Sequence, residues 1–124
     1  MKGGLQIKRI YEPAADEDGE RVLIDRLWPR GVSKRAAALS LWLKEIAPSS
    51  ALRQWWNHDP QRWVEFQRRY RAELKANAGP VRQLRSLLRH KRVTLLYGAR
   101  DPQLNHALVL ASYLRRPAAR PIKR

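Results

Sequence analysis

Several side chains that could bind an anion or transfer a proton come directly after apolar runs of the sequence. An arginine or lysine can pair with a phosphate or a carboxylate, and a histidine beside a carboxylate can act as a general acid or base. We therefore take these side chains as candidate site residues. They are Asp25, Arg26, Trp28 and Arg30 in one group, Lys44 alone, and Arg100, Asp101, Asn105 and His106 in another.

His106 is the candidate for proton transfer, with either Asp25 or Asp101 as the carboxylate that orients its ring. These three residues form the predicted catalytic set. A single histidine is also a common structural hydrogen-bond donor, so the sequence leaves both roles open. His58, which precedes Asp59, is more typical of a helix cap than of a catalytic group.

The loop from Arg26 to Arg30 has a composition that suits anion binding. A planar guanidinium can stack on Trp28 and point at a phosphate or a carboxylate. The same arginines could instead pair with Asp25 or Asp101 and hold the loop in place. The sequence does not decide between these two roles.

Arg100 is a second predicted anion contact, because it precedes a predicted helix over residues 102–114. Asp101 followed by proline is typical of a helix start, and the free N–H groups of a first helical turn attract anions. Lys44 at the end of a predicted strand and Asn105 in the first turn of the helix complete the predicted ligand-binding residues.

The elements that must position these residues follow from hydrophobic patterning. The run over residues 93–97 is short and apolar, which is typical of a strand buried on both faces of a parallel sheet. The predicted strands are residues 5–11, 21–25, 39–44 and 93–97, although 39–44 also fits a helical face. The predicted helices are 34–38 capped by Ser33, 52–56 capped by Ser50, 60–77, one beginning at Pro80, and 102–114.

This order of elements predicts an α/β domain with three layers and a small, mainly parallel sheet, of Rossmann-like or flavodoxin-like type. Right-handed crossovers bring the carboxyl ends of parallel strands to one edge, where such sheets bind ligands. The loops after Asp25, Lys44 and Tyr97 would meet there. We expect residues 1–114 to form this single domain and residues 115–124 to form a basic, disordered tail.

The composition excludes several kinds of chemistry. The 124 residues include no cysteine, which removes disulfides, thiol nucleophiles and thiolate metal ligands. The three histidines lack ligand-like spacing, and no Walker or Gly-x-Gly-x-x-Gly loop occurs, so we predict neither a metal nor a cofactor. No apolar run could span a bilayer and no secretory segment is visible, so we expect a cytoplasmic protein without membrane contact.

The charge of the chain supports an alternative function. A total of 26 Lys and Arg against 11 Asp and Glu gives a net charge of +15, as in a nucleic-acid-binding accessory protein with a basic surface and tail. An arginine-rich composition without functional meaning is the competing interpretation. Trp55, Trp56 and Trp63 could stack on bases, but their helical spacing favours core packing. The convergence of polar loops favours a small-molecule binding protein or enzyme with an anionic ligand.

Four runs of the sequence resemble the YeaO-like family of small bacterial proteins, whose members form a domain of unknown function. The resemblance covers roughly residues 5–114 and implies an α/β domain without an established activity. Wider relatives carry Cys-His-Arg where this chain has Asn105-His106-Ala107, so thiol chemistry does not carry over and His106 is the part retained. The four runs are VLIDRLWPRGVSK, LWLKEIAPS, HDPQRWVEFQRRYRAEL and VTLLYGARDPQLNHALVL.

Overall fold

A parallel sheet of four strands lies at the centre of the computed structural model, which describes residues 4–116. The order of the strands is β1-β4-β2-β3, and each neighbouring pair is parallel. The predicted α/β class and parallel sheet are therefore confirmed. The strands are β1 (Leu5–Arg9), β2 (Glu20–Leu23), β3 (Leu41–Trp42) and β4 (Val93–Tyr97).

Helices and short turns connect these strands. Ser33 caps the first helix as predicted, because its hydroxyl accepts a hydrogen bond from the Ala36 N–H at 3.0 Å. Within the described part of the chain, no helix is long and apolar enough to cross a membrane. The helices are α1 (Lys34–Ala37), α2 (Ser50–Trp56), α3 (Trp63–Ala76), α4 (Ala78–His90) and α5 (His106–Arg115), with 3₁₀ turns at Asp16–Asp18, Lys44–Ile46 and Pro60–Arg62.

The sheet is covered on both faces, which explains why β4 carries no charged side chain. Leu95 belongs to the larger core with residues of α2 to α5, whereas Leu96 belongs to a smaller core with Ala37 of α1. Successive side chains of a strand point to opposite faces, so each face of β4 needs its own apolar partners. The apolar residues of α3 at spacings of three and four form a stripe of Trp63, Phe66, Tyr70 and Leu74 that packs on the larger core, with Phe66 and Tyr70 fully buried.

Three of the four strands are shorter than predicted, whereas β4 has its predicted bounds. β1 ends at Arg9, although the Ile10 N–H still donates to the Tyr97 carbonyl at 2.8 Å. β2 ends at Leu23, so Asp25 lies just beyond the strand. The predicted strand over 39–44 is reduced to Leu41–Trp42, because the backbone leaves the extended conformation at Leu43 and enters a 3₁₀ turn.

Four predicted helix starts were wrong. The helix predicted from residue 60 begins at Trp63, after the 3₁₀ turn at Pro60–Arg62, and the helix predicted from Pro80 begins at Ala78. Ser49, not Ser50, caps α2, since its hydroxyl accepts from the Leu52 N–H at 3.1 Å. The last helix begins at His106 and not at Pro102. The five residues before it form turns, and the helix continues to Arg115. Of the predicted basic tail, residues 117–124 lie outside the described residues.

Candidate functional site

A cavity of about 470 Å³ lies beyond the ends of β2 and β4. Its walls come from the loop after β2, the Gly98-Ala99 segment after β4, the segment from Ala47 to His58, and the first residue of α5. This is the edge of the sheet where polar loops were expected to meet. The lining residues with polar or aromatic side chains are Tyr11, Asp25, Arg26, Trp28, Arg30, Arg53, Gln54, Trp56, Asn57, His58, Phe66 and His106.

Asp25 is fixed in the cavity by the backbone that follows β4. One carboxylate oxygen, Oδ2, accepts a hydrogen bond from the Gly98 N–H at 2.9 Å. A Cβ atom on residue 98 would lie 2.9 Å from this oxygen, so a glycine lets the two groups approach. The other oxygen, Oδ1, is buried, has no hydrogen-bond partner among the described residues, and lies 3.4 Å from Nε2 of His106.

His106 is held by the backbone of the loop after β2. Its Nε2 lies 2.9 Å from the Ile24 carbonyl oxygen. Because a carbonyl can only accept, Nε2 must carry the hydrogen. Nδ1 has no hydrogen bond to any described residue, and in the neutral ring it is a hydrogen-bond acceptor. The structure therefore presents a histidine with a defined tautomer beside a carboxylate in the cavity.

Burial shifts the pKa values of Asp25 and His106 in the directions that favour the neutral form of each side chain. Burial raises the pKa of Asp25, and His106, the Gly98 N–H and Arg53 oppose that shift. Burial lowers the pKa of His106 below its ordinary value, although the nearby Asp25 carboxylate and the Ile24 carbonyl act in the other direction. His106 is consequently neutral at pH 7, with Nδ1 able to accept a hydrogen bond.

Three arginines line the cavity and differ in how they are held. Arg26 donates to the carbonyls of Ala47 at 3.1 Å and Pro48 at 3.3 Å, so it holds its loop without pairing with a carboxylate. Arg30 is exposed and Arg53 half-buried, and neither side chain has a hydrogen bond or ion pair with a described residue. Asp25 is the one carboxylate among the described lining residues, so the cavity is positively charged.

Among the described residues, no guanidinium stacks on the ring of Trp28. It packs edge-on against Trp42 with the ring centroids 5.4 Å apart, and its Nε1 donates to the Val32 carbonyl at 2.7 Å. The predicted stacking of an arginine on Trp28 was therefore wrong. Trp28 lines the cavity as part of its apolar wall.

Four predicted site residues lie outside the lining of the cavity. Lys44 is exposed and its Nζ lies 5.0 Å from the ring centre of Trp42. Arg100 is exposed, six residues before α5. Asp101 is exposed and only forms a turn, with Oδ1 accepting from the Gln103 N–H at 2.8 Å. Of the two carboxylates considered for His106, the structure places Asp25 beside the ring.

Asn105 is the cap of α5 and is fully buried. Its Oδ1 accepts from the Leu108 N–H at 3.1 Å, and its Nδ2 donates to the Asp101 carbonyl at 2.9 Å. The first turn of α5 is thus closed by a side chain of the protein itself. Because α5 begins at His106, Arg100 does not directly precede the helix as the predicted anion site requires.

Arg53 and His58, from the last two turns of α2 and the loop after it, line the cavity, and neither was among the predicted site residues. Arg53 lies one turn before the end of the helix, and its backbone carbonyl accepts from the Asn57 N–H at 2.9 Å. Asn57 and His58 both have positive φ angles, 47° and 54°, which place the His58 ring 4.6 Å from that of Trp56. The break between two helices was the available sequence signal. His58 was assigned to a cap, but Asp59 makes that contact.

Comparisons with known proteins agree with the resemblance found in the sequence. The chain is 43% identical over 111 residues to the uncharacterised protein YeaO of Escherichia coli K12, covering 90% of this chain and 96% of that protein. It is 40% identical over 110 residues to uncharacterised proteins of Mycobacterium bovis and Mycobacterium tuberculosis, covering 89% of this chain and 92% of theirs. No solved structure is a significant match. A family model described as the inactive DUF488-N3 subclade matches residues 4–122, and the chain belongs to this family.

Proposed function

We propose that the cavity beyond β2 and β4 binds a small anionic molecule. Arg53 is the observation that carries the proposal, because this half-buried residue lines the cavity and its guanidinium makes no hydrogen bond or ion pair with a described residue. A cation that is partly removed from water is unfavourable unless an anion compensates for the lost hydration. A bound phosphate or carboxylate would supply that compensation.

The other charges of the cavity support an anion over a cation. Arg26 and Arg30 add two positive charges to that of Arg53, whereas Asp25 is the one carboxylate in the described lining. A neutral His106 adds no charge but offers a hydrogen-bond acceptor. The description of the family as inactive fits binding without turnover, so we place His106 and Asp25 in ligand binding rather than in catalysis.

Replacing Arg53 by alanine is expected to weaken anion binding by about 10- to 100-fold, the usual effect of losing a charge-assisted hydrogen bond. The measurement is a thermal-shift titration with inorganic phosphate, glycerol phosphate and succinate. A ligand at a hundred times its dissociation constant adds about 2.7 kcal/mol to the stability of the wild type, which raises Tm by several degrees. Arg53→Ala should lose that rise.

Arg100→Ala is the matched control, because it removes the same charge from an exposed position outside the cavity lining. It is expected to keep the full thermal shift. If none of the three anions stabilises the wild type, the cavity is not an anion site. The same conclusion holds if Arg53→Ala keeps the thermal shift as fully as Arg100→Ala does.

A second candidate is nucleic-acid binding through α4 and the segment that follows it. Residues 74–100 contain no Asp or Glu. Arg82 and Arg89 lie seven residues apart, on one face of α4, and both are exposed together with Lys91 and Arg92. A continuous cationic face of this kind suits a phosphate backbone.

For this second candidate we expect affinity for a labelled DNA duplex to fall steeply with salt, with a slope of about −0.9 per phosphate contacted. The double variant Arg82→Ala, Arg89→Ala should reduce the slope by about two units, measured by fluorescence anisotropy. The control double variant Lys34→Ala, Arg35→Ala removes two exposed charges from α1 and should leave the slope unchanged. A flat salt dependence in the wild type would count against the candidate.

A further inference from the structure

We infer that the anion bound in the cavity also carries a hydroxyl group, which donates a hydrogen bond to the acceptor pair formed by Asp25 and His106. The inference rests on the proposed function and narrows the ligand to hydroxylated acids, such as polyol or sugar phosphates. It is drawn from two acceptor atoms of the cavity, one on Asp25 and one on His106, that receive no hydrogen bond from a described residue.

Oδ1 of Asp25 lacks a donor. Its companion oxygen is satisfied by the Gly98 N–H at 2.9 Å, whereas Oδ1 is buried without a hydrogen bond among the described residues. Nε2 of the neutral His106 lies 3.4 Å away, but the hydrogen of that nitrogen is directed at the Ile24 carbonyl at 2.9 Å. Buried carboxylate oxygens are almost always hydrogen-bonded, so a missing donor indicates a group that the ligand supplies.

His106 offers a second acceptor in the same cavity. Because the Ile24 carbonyl fixes the hydrogen on Nε2, Nδ1 of the neutral ring can only accept. In the described structure, none of the three arginines of the cavity donates a hydrogen bond to Oδ1 of Asp25 or to Nδ1 of His106. Arg26 is turned to two backbone carbonyls, and neither Arg30 nor Arg53 makes a side-chain hydrogen bond. The cavity thus presents acceptors and cations side by side, which a molecule with both an acid and a donor would match.

A hydroxyl suits these acceptors better than an ammonium group. The cavity is lined by three arginines and one carboxylate, so the positive charge of a ligand ammonium group would be repelled by the arginines. A hydroxyl donates without adding charge. The volume of about 470 Å³ is within the range of small-molecule sites and exceeds what a bare phosphate fills.

The test compares glycerol phosphate with n-propyl phosphate, which has the same acid and the same number of carbons but no hydroxyl. Isothermal titration of the wild-type protein should show glycerol phosphate binding at least about tenfold more tightly. Equal affinities would overturn this inference and leave the proposed function standing. Binding of neither phosphate would overturn both. These outcomes need no variant to fold.

Asp25→Asn then assigns the preference to the carboxylate. The amide oxygen can still accept from the Gly98 N–H, but an NH₂ group replaces Oδ1, so a donor faces the ligand where an acceptor stood. We expect the preference for glycerol phosphate to vanish, while n-propyl phosphate binds more tightly because a negative charge has been removed. Arg100→Ala should keep the wild-type preference. A preference that survives in Asp25→Asn would overturn the inference.

Discussion

Replacement of Asp18 by alanine is expected to lower the free energy of unfolding by about 3–5 kcal/mol at pH 7. The Asp18 carboxylate is almost completely buried, 2.9 Å from Nζ of Lys8 and 2.5 Å from Nη1 of Arg21. Arg21 is itself only 4% exposed and keeps one other contact, from Nε to the Ala37 carbonyl at 2.9 Å. Without Asp18 a buried guanidinium remains uncompensated. Urea denaturation followed by circular dichroism measures the loss.

Asp16→Ala is the control for this prediction, since it removes a carboxylate from the same 3₁₀ turn at an exposed position. Its effect should stay within about 0.5 kcal/mol. If Asp18→Ala were no more destabilising than Asp16→Ala, the buried ion pair would contribute nothing net to the fold.

The pH dependence of the same two proteins provides an independent readout. Burial raises the pKa of Asp18, but the hydrogen bonds from Lys8, the Ala15 N–H and Arg21 together lower it by more than burial raises it. The pKa of Asp18 in the folded protein therefore lies below the ordinary value. A depressed folded pKa gives stability that is fully present above the unfolded pKa of about 4 and is lost as pH falls through the folded pKa. The difference in stability between wild type and Asp18→Ala should therefore shrink below about pH 4.

The central strand was predictable because its local pattern and its environment agree. The run Val93–Tyr97 has no charged residue, and in the structure all five residues are buried, four of them in the two cores. The stripe of α3 was predictable for the same reason, since apolar residues at helical spacing also form the buried face. Where one face of an element meets one core, the sequence pattern is sufficient.

The start of α5 could not be predicted from the nearby sequence, because two residues within five positions, Asp101 and Asn105, could each cap the helix. Asp101 before a proline is a good local start, yet the helix begins after Asn105. A cap stabilises a helix by about 1 kcal/mol, which tertiary contacts readily exceed. Here the His106 ring reaches the Ile24 carbonyl, 82 positions away in the chain, and Asn105 is fully buried. Neither contact is visible in a window of sequence.

The candidate site was predicted in part for a topological reason. Asp25 lies just after β2, and His106 begins the helix that follows β4. These two parallel strands are neighbours in the sheet, and both residues line the cavity. Arg53 and His58 were missed because they come from α2 and the loop after it, which no strand-end rule brings to the cavity. Their position depends on how α2 packs through the buried Leu52 and Trp56. Such packing is a property of the assembled core and not of a loop.

Replacement of Phe66 by alanine is expected to lower the free energy of unfolding by about 3–5 kcal/mol, the range for a large aromatic removed from a core. Phe66 is fully buried, and its ring stacks on Trp56 of α2 with the centroids 4.1 Å apart. The same ring lies 5.8 Å from that of Tyr70, the next residue of the α3 stripe. Deleting it leaves a cavity between two helices that the surrounding side chains can fill only in part. Equilibrium denaturation in urea measures the effect.

Val64→Ala is the control on the same helix, because Val64 is 76% exposed. It should change stability by no more than about 0.5 kcal/mol, and alanine is the better helix former. Phe66 also lines the proposed anion cavity, so Phe66→Ala should weaken glycerol phosphate binding as Trp56 loses its support. Equal effects of the two substitutions on stability would mean that α3 does not pack by this face. The assignment of Trp56 to the core, rather than to a surface that stacks on bases, would then be wrong.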